Sequence, residues 1–341
     1  MYAMLQVGRA YFYCSYHKNI GKEGVYMGKY VLQRVVAMLL TILCIITITF
    51  FLMHAIPGGP FTREKPLPEA ILQALNKKYH LDDPVWKQYL DYLEDLVLKG
   101  DFGPSFKQVI RSVNELIGLG FPVTAKLGLA SIALTLILAI PMGIYSALKQ
   151  GRWQDYTAMF IATLGVTIPS FVMAILLIYI FSLKIGILPV ISGGLESFNT
   201  LILPVLALTG YQLSFITRLM RSSMLDVIQQ DYIRTARAKG ISEFKVVMKH
   251  AFKNAILPVI TYMGPMIAAL LTGSFVIEKM FTIPGIGGFF VTSISNRDYT
   301  MIMGTTIFYA IILIVMNFFV DIVYGFVDPR IKLQNAKGGA A

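Results

Sequence analysis

A chain of 341 residues that is 56% hydrophobic and only 14% charged has too little charge to coat a water-soluble globule of its size, because soluble domains run near ~25% charged. Two cysteines, Cys14 and Cys44, exclude a disulfide scaffold, and with four scattered histidines they lack metal-site spacing. No metal, cofactor or catalytic residue is therefore assigned, and the net charge of +11 reflects loop topology rather than nucleic-acid binding.

Residues 1–29 read as an N-terminal extension, rich in Tyr, Gly and Lys without a clear period. A second possible start, Met27-Gly28-Lys29-Tyr30, suggests a disordered extension or a mis-assigned start. Six stretches then lack any charged side chain for 18 residues or more: Val35 to Ile56, Leu127 to Leu148, Tyr156 to Leu183, Thr200 to Thr217, Ala255 to Ile277 and Tyr299 to Val320. About 20 helical residues cross a bilayer core, so an all-α membrane protein with six transmembrane helices is expected. The first, over 30–56, is too long for a cleaved signal and has no small-x-small site. The fourth is expected to run past Arg218, whose side chain can reach the headgroups.

Charge sets the orientation. Residues 1–34, 149–155, 218–254 and 328–341 together carry eighteen basic and six acidic residues, whereas the opposite side is neutral overall. Both termini, including the tail at 328–341, are therefore expected in the cytoplasm.

The external segment, 57–122, is too long and patterned for a simple loop. Pro57-Gly58-Gly59-Pro60 ends the first helix. Asp83 and Pro84 predict N-cap and N1 of a helix ending at Gly100, with Val85, Tyr89, Tyr92, Leu93 and Leu96 as its apolar stripe. Ser112 and Glu115 predict a capping box for a further short helix. The segment is either a structural cap or a docking surface for an extracellular partner.

The remaining five helices form a core over 123–327, interrupted by the polar loop 218–254. There, Asp231, Tyr232, Ile233, Arg234, Thr235, Ala236, Arg237, Ala238, Lys239 and Gly240 read as one short helix, with Asp231 capping its start and Gly240 taking the left-handed conformation that ends it. Ser242 is expected to cap a second helix reaching Asn254. The small Ala236 and Ala238 would let another backbone approach, with Arg234, Arg237 and Lys239 around the contact. In the last span, Asn317, Asp321, Tyr324 and Asp328 share one helix face, and an Asp321–Arg34 contact is expected within the bundle.

The decapeptide at 231–240, preceded by Arg221-Ser222-Ser223-Met224-Leu225 and followed by Ile256-Leu257-Pro258, resembles the coupling-loop signature of binding-protein-dependent ABC importer permeases in the peptide/nickel branch. Arg234 or Thr235 stands where many members have an acid. Further stretches resemble the B-type subunit of oligopeptide permeases: Pro57 to Thr62, Lys78 to Pro84, Gly100 to Phe106, Phe121 to Gly128, Pro284 to Gly287, Asn296 to Tyr299 and Asp328 to Ile331.

The resemblance implies a type I ABC importer permease fold, a helix at 231–240 that couples to ATPase subunits, and half of an oligopeptide translocation path. It implies as partners a second homologous permease, two cytoplasmic ATPases and an extracytoplasmic peptide-binding protein. The chain has no Gly-x-x-x-x-Gly-Lys-Ser/Thr loop, so it reads as a transport subunit and not an enzyme. The alternatives are a permease of the same family for dipeptides, glutathione or nickel, a proton-coupled peptide carrier, and a membrane anchor. The carrier is disfavoured by the near absence of ionisable groups in the spans, and the anchor leaves Pro141, Pro169, Pro204 and Pro265 unexplained.

Overall fold

The computed structural model describes residues 23–56, 59–61, 68–108, 110–191 and 197–327, with side chains between 34 and 320. The expectations for residues 1–22, for Pro57-Gly58 and for 328–341 lie outside the described residues. Every extended regular element described is a helix.

The first helix, α1, spans Glu23–Ala55, so residues 23–29 are helical where an extension was expected. Two short helices follow: α2, Glu69–Lys78, and α3, Val85–Glu94, which continues as a wide turn over Asp95–Lys99. Pro84, not Asp83, is the N-cap of α3, and the Asp83 carboxylate instead accepts from Lys87 Nζ at 2.9 Å. Gly100 ends the helical run at φ 64°.

The Ser112 capping box forms as expected, with Glu115 N donating to Ser112 Oγ at 3.2 Å and Ser112 N to Glu115 Oε2 at 3.3 Å. The helix it starts is not short. It is α4, Val113–Leu148, which runs without interruption from the expected external segment through the second span. Pro122 and Pro141 lie inside it.

The third span is broken. Trp153–Thr167, α5, and Ser170–Leu177, α6, extended by a wide turn to Lys184, meet at 105°. The cause is local: Pro169 forces Ile168 into extended backbone, φ −89° and ψ 115°. Next comes α7, Phe198–Ile228, which passes Arg218 as expected. The helix α8 covers Asp231–Ala238, and α9 joins Glu243–Lys245, a wide turn Val246–Ala251 and Phe252–Ala255. The chain closes with α10, Leu257–Leu271, α11, Phe275–Met280, α12, Ile286–Asn296, and α13, Tyr299–Val327.

Five of these stretches are long and apolar enough to cross a membrane, and the bent α5–α6 pair makes a sixth. Their exposed surfaces are greasy, as Leu39, Leu40, Ile48 and Leu52 on α1 illustrate. In lipid, helices gain little from hiding apolar surface and associate instead through close backbone approach. That approach is made at glycines. A Cβ on Gly165 of α5 would run into the Gly210 carbonyl of α7, and one on Gly143 of α4 would stand 2.8 Å from the Thr217 carbonyl oxygen. Around α4 and α7 lies the main core, with Ala139, Ala147, Ile216, Met220 and Met224 buried.

Candidate functional site

The loop between α7 and α10 folds as a helical hairpin. Ile233 and Ala236, three residues apart on α8, are buried at 0% and 6% exposure. They pack in the same core as Met224 of α7 and Val246, Val247 and Ala251 of α9. The spacing makes one inward stripe, so Ala236 is turned into the bundle. The side chains of Asp231, Arg234, Thr235, Ala238 and Lys239 point outward.

The ends of α8 hold differently from each other. Gln230 is the N-cap, with no side-chain hydrogen bond. Asp231 is the first helical residue, and its carboxylate lies 3.6 Å from Arg234 with both side chains well exposed, an ion pair worth little in water. Gly240 adopts φ 74°. Its N–H donates to the Arg237 carbonyl at 2.9 Å and Ile241 N to the Ala236 carbonyl at 3.4 Å, the closure that a left-handed residue permits.

Two side-chain ties fix α8 to α9. Arg237 donates to both carboxylate oxygens of Glu243, at 2.7 and 3.1 Å, and this holds the Glu243 carboxyl below the usual carboxylate range. Asn254 Nδ2 donates to Tyr232 Oη at 2.8 Å. Ser242 occupies the N-cap of α9 as expected, but its side chain makes no capping bond. Beside the turn lies an open cleft of about 440 Å³, lined by Gly240, Ile241, Ser242, Lys245, Lys249 and His250.

Three polar clamps hold the helices and went unassigned in the sequence. On the α8 side, Asp155 is 4% exposed; it receives Arg221 Nε and Nη2 at 2.7 Å each, Gly151 N at 3.0 Å and the Ser146 hydroxyl. On the opposite side, Glu278 is fully buried, accepting from Thr124 Oγ1 at 2.8 Å and Gly288 N at 3.1 Å. Asp298, 3% exposed, accepts from Ser105 Oγ at 2.5 Å, Phe106 N at 3.1 Å and Thr300 Oγ1 at 3.1 Å. Two stretches singled out separately in the sequence, Gly100 to Phe106 and Asn296 to Tyr299, thus meet in one cluster. An acid in the first turn of a helix was the available signal for Asp155 and Glu278, but their partners lie on other helices.

The expected polar stripe on α13 is described only at Asn317, whose Nδ2 donates to the Leu313 carbonyl at 2.7 Å and whose Oδ1 faces Gly264 of α10. The Asp321–Arg34 contact, Tyr324 and Asp328 lie outside the described side chains. Among the described residues no group of three or more His, Cys, Asp or Glu is placed to hold a metal ion.

Comparison with known proteins gives a consistent result. The sequence pattern of the family "Binding-protein-dependent transport system inner membrane component" matches residues 139–333, and the N-terminal pattern of the same kind of protein matches 27–127. The dipeptide transport system permease protein DppB of Bacillus subtilis is 48% identical over 308 residues, covering 90% of this chain and 99% of that protein. The oligopeptide transport system permease protein OppB of Escherichia coli K12 is 44% identical over 308 residues, covering 90% and 100%. A solved structure of the MetNI methionine ABC transporter in an inward-facing conformation aligns with TM-score 0.50 at 16% identity, covering 62% of this chain and 96% of that one, a likeness of fold alone.

Proposed function

The chain belongs to the binding-protein-dependent transport system inner membrane component family, and from that premise we propose that it is the permease subunit of an ATP-driven oligopeptide importer. It is a multi-pass inner-membrane transport component and not the ATPase. With a second, homologous permease it forms the translocation path. An extracytoplasmic binding protein delivers the peptide and sets most of the specificity. Both termini and α8 face the cytoplasm, as the basic loops at 218–254 and 1–34 argue.

The observation that carries the coupling role is the anchoring of α8. A helix of eight residues has no stability of its own. This one is fixed by Ile233 and Ala236 from below and by the Arg237–Glu243 and Tyr232–Asn254 ties at its side. Arg234, Thr235, Ala238 and Lys239 are left facing outward. Such a helix moves with α7 and α9 as a unit, so closure of two ATPases against it would rotate the spanning helices to which those elements belong.

Gly240→Val and Arg234→Glu test this reading. The first forces a β-branched residue into the left-handed region, at about 1–3 kcal/mol; the second reverses an exposed charge. Both are expected to abolish peptide uptake in cells lacking the native gene while the chain inserts at normal levels. Normal uptake by both would remove α8 from the coupling role.

A dipeptide importer is the second reading, favoured by the relative at 48% identity. Competition for uptake between a labelled dipeptide and unlabelled tetra- and pentapeptides separates the two. Strong competition by the longer peptides is expected for an oligopeptide system.

A further inference from the structure

The helix α3 lies at a depth that a simple external loop would not reach. Tyr89 Oη is 2.8 Å from Thr47 Oγ1, and Thr47 sits about 12 Å along α1 from its end at Ala55. The Tyr89 ring lies 5.3 Å from the Phe50 ring and 5.4 Å from that of Phe51, centroid to centroid. Phe51 belongs to the apolar outer surface of the α1 span and is 45% exposed. The next turn toward the end of α1 holds α3 as well, through His54 Nε2 and Gln88 Oε1 at 3.1 Å.

Around its axis, α3 divides into three sectors. Gln88, Tyr89, Tyr92 and Leu93 face the protein and are partly buried, against α1 and α13. Beside them, Trp86 and Leu90 are 63% and 51% exposed, at a spacing of four that places them on one side. The remaining sector carries Lys87, Asp91 and Glu94, all exposed. A helix standing free in water has no reason to separate an exposed apolar side from an exposed charged side. One lying at a membrane surface does.

We propose that α3 is an interfacial helix, lying in the bilayer surface opposite α8 with Trp86 and Leu90 in contact with lipid and Lys87, Asp91 and Glu94 in water. The occupant of the apolar side is lipid rather than a docking protein, because α3 packs through Tyr89 against Phe51, which is exposed within the depth of the α1 span. The indole of Trp86 is suited to this boundary, having an apolar body and one polar edge. The helix then fixes the depth and tilt of α1, which it grips at Thr47 and His54.

Fluorescence tests the assignment directly, because the chain has two tryptophans. Trp153→Phe replaces a side chain that is 72% exposed and leaves Trp86 as the reporter. The full-length variant is reconstituted in phosphatidylcholine vesicles with and without brominated phosphatidylcholine. Trp86 emission is expected to be blue-shifted, to lose most of its intensity with brominated lipid, and to resist aqueous acrylamide. A companion chain carrying Trp153→Phe, Trp86→Phe and Lys87→Trp moves the indole about 100° around the helix; it is expected to ignore bromine and respond to acrylamide. The proposal is overturned if bromine leaves Trp86 unaffected, whether acrylamide reaches it (a water-facing docking surface) or neither quencher does (a protein partner). Equal quenching by bromine at both positions overturns it too.

Discussion

Asp155 shows how much one side chain can carry. It is nearly buried where α5 begins, and the Arg221 guanidinium meets it with two hydrogen bonds of 2.7 Å. Removing the cation strands a desolvated carboxylate, so Arg221→Met is expected to cost about 3 kcal/mol, read as a lower apparent Tm of the detergent-purified chain. Arg221→Lys keeps the charge but loses the fork geometry and falls between the two. Asp155→Asn with Arg221→Met, which removes both charges, recovers part of the loss. The Arg237–Glu243 tie makes a second prediction. A carboxylate whose folded pKa is depressed lends stability above its ordinary range and loses it as pH falls through the lowered value. Hydrogen exchange of α8 amides should therefore accelerate in acid relative to the rest of the bundle, and Glu243→Gln should remove that difference. Sequence legibility at this scale followed locality. Gly240 was readable because a helix end needs a left-handed residue wherever the helix lies. The inward turn of Ala236 was not, because Ala236 and Ala238 are equally small and only the packing of Ile233 against Met224 and Val246 decides which one is covered.

Elements were legible as lengths and less so as breaks. Charge-free runs gave every spanning stretch, since bilayer thickness sets the requirement. Four prolines looked alike in the sequence, yet Pro141, Pro204 and Pro265 lie inside continuous helices while Pro169 sits at a 105° bend. Neighbouring helices hold the first three in line, and those neighbours are absent from any local window. Close approach of α5 and α7 is an element-scale feature with its own test. Gly165→Ala places a methyl where the Gly210 carbonyl already lies. It should cost about 1–3 kcal/mol of overpacking, measured as a lower Tm of the purified chain. Gly118→Ala in α4, with nothing within 4 Å of its added Cβ, should be neutral or slightly stabilising.

At the scale of the whole molecule, the end opposite α8 is closed by contacts between distant parts of the chain. Ser105 and Asp298 are 193 residues apart and share a hydrogen bond of 2.5 Å, so the segment before α4 is stapled to the start of α13. Asp298→Ala removes that acceptor for the Ser105 and Thr300 hydroxyls and for Phe106 N–H. Amides of residues 100–108 are expected to exchange faster by mass spectrometry while those of α8 stay unchanged; equal acceleration at both would mean global loosening instead. The sequence held both halves of this staple but no sign that they meet, because side-chain pairing across such a separation is a property of topology. A related arrangement involves α4. Its residue Thr124 joins the Glu278 clamp and its residue Ser146 joins the Asp155–Arg221 clamp, about 33 Å apart along one axis. The two clamps are therefore opposite ends of a single connecting rod. A tilt of about 10° of that rod as a rigid body would displace one clamp relative to the other by roughly 6 Å, given its rise per residue, so a shift at one end would be registered at the other.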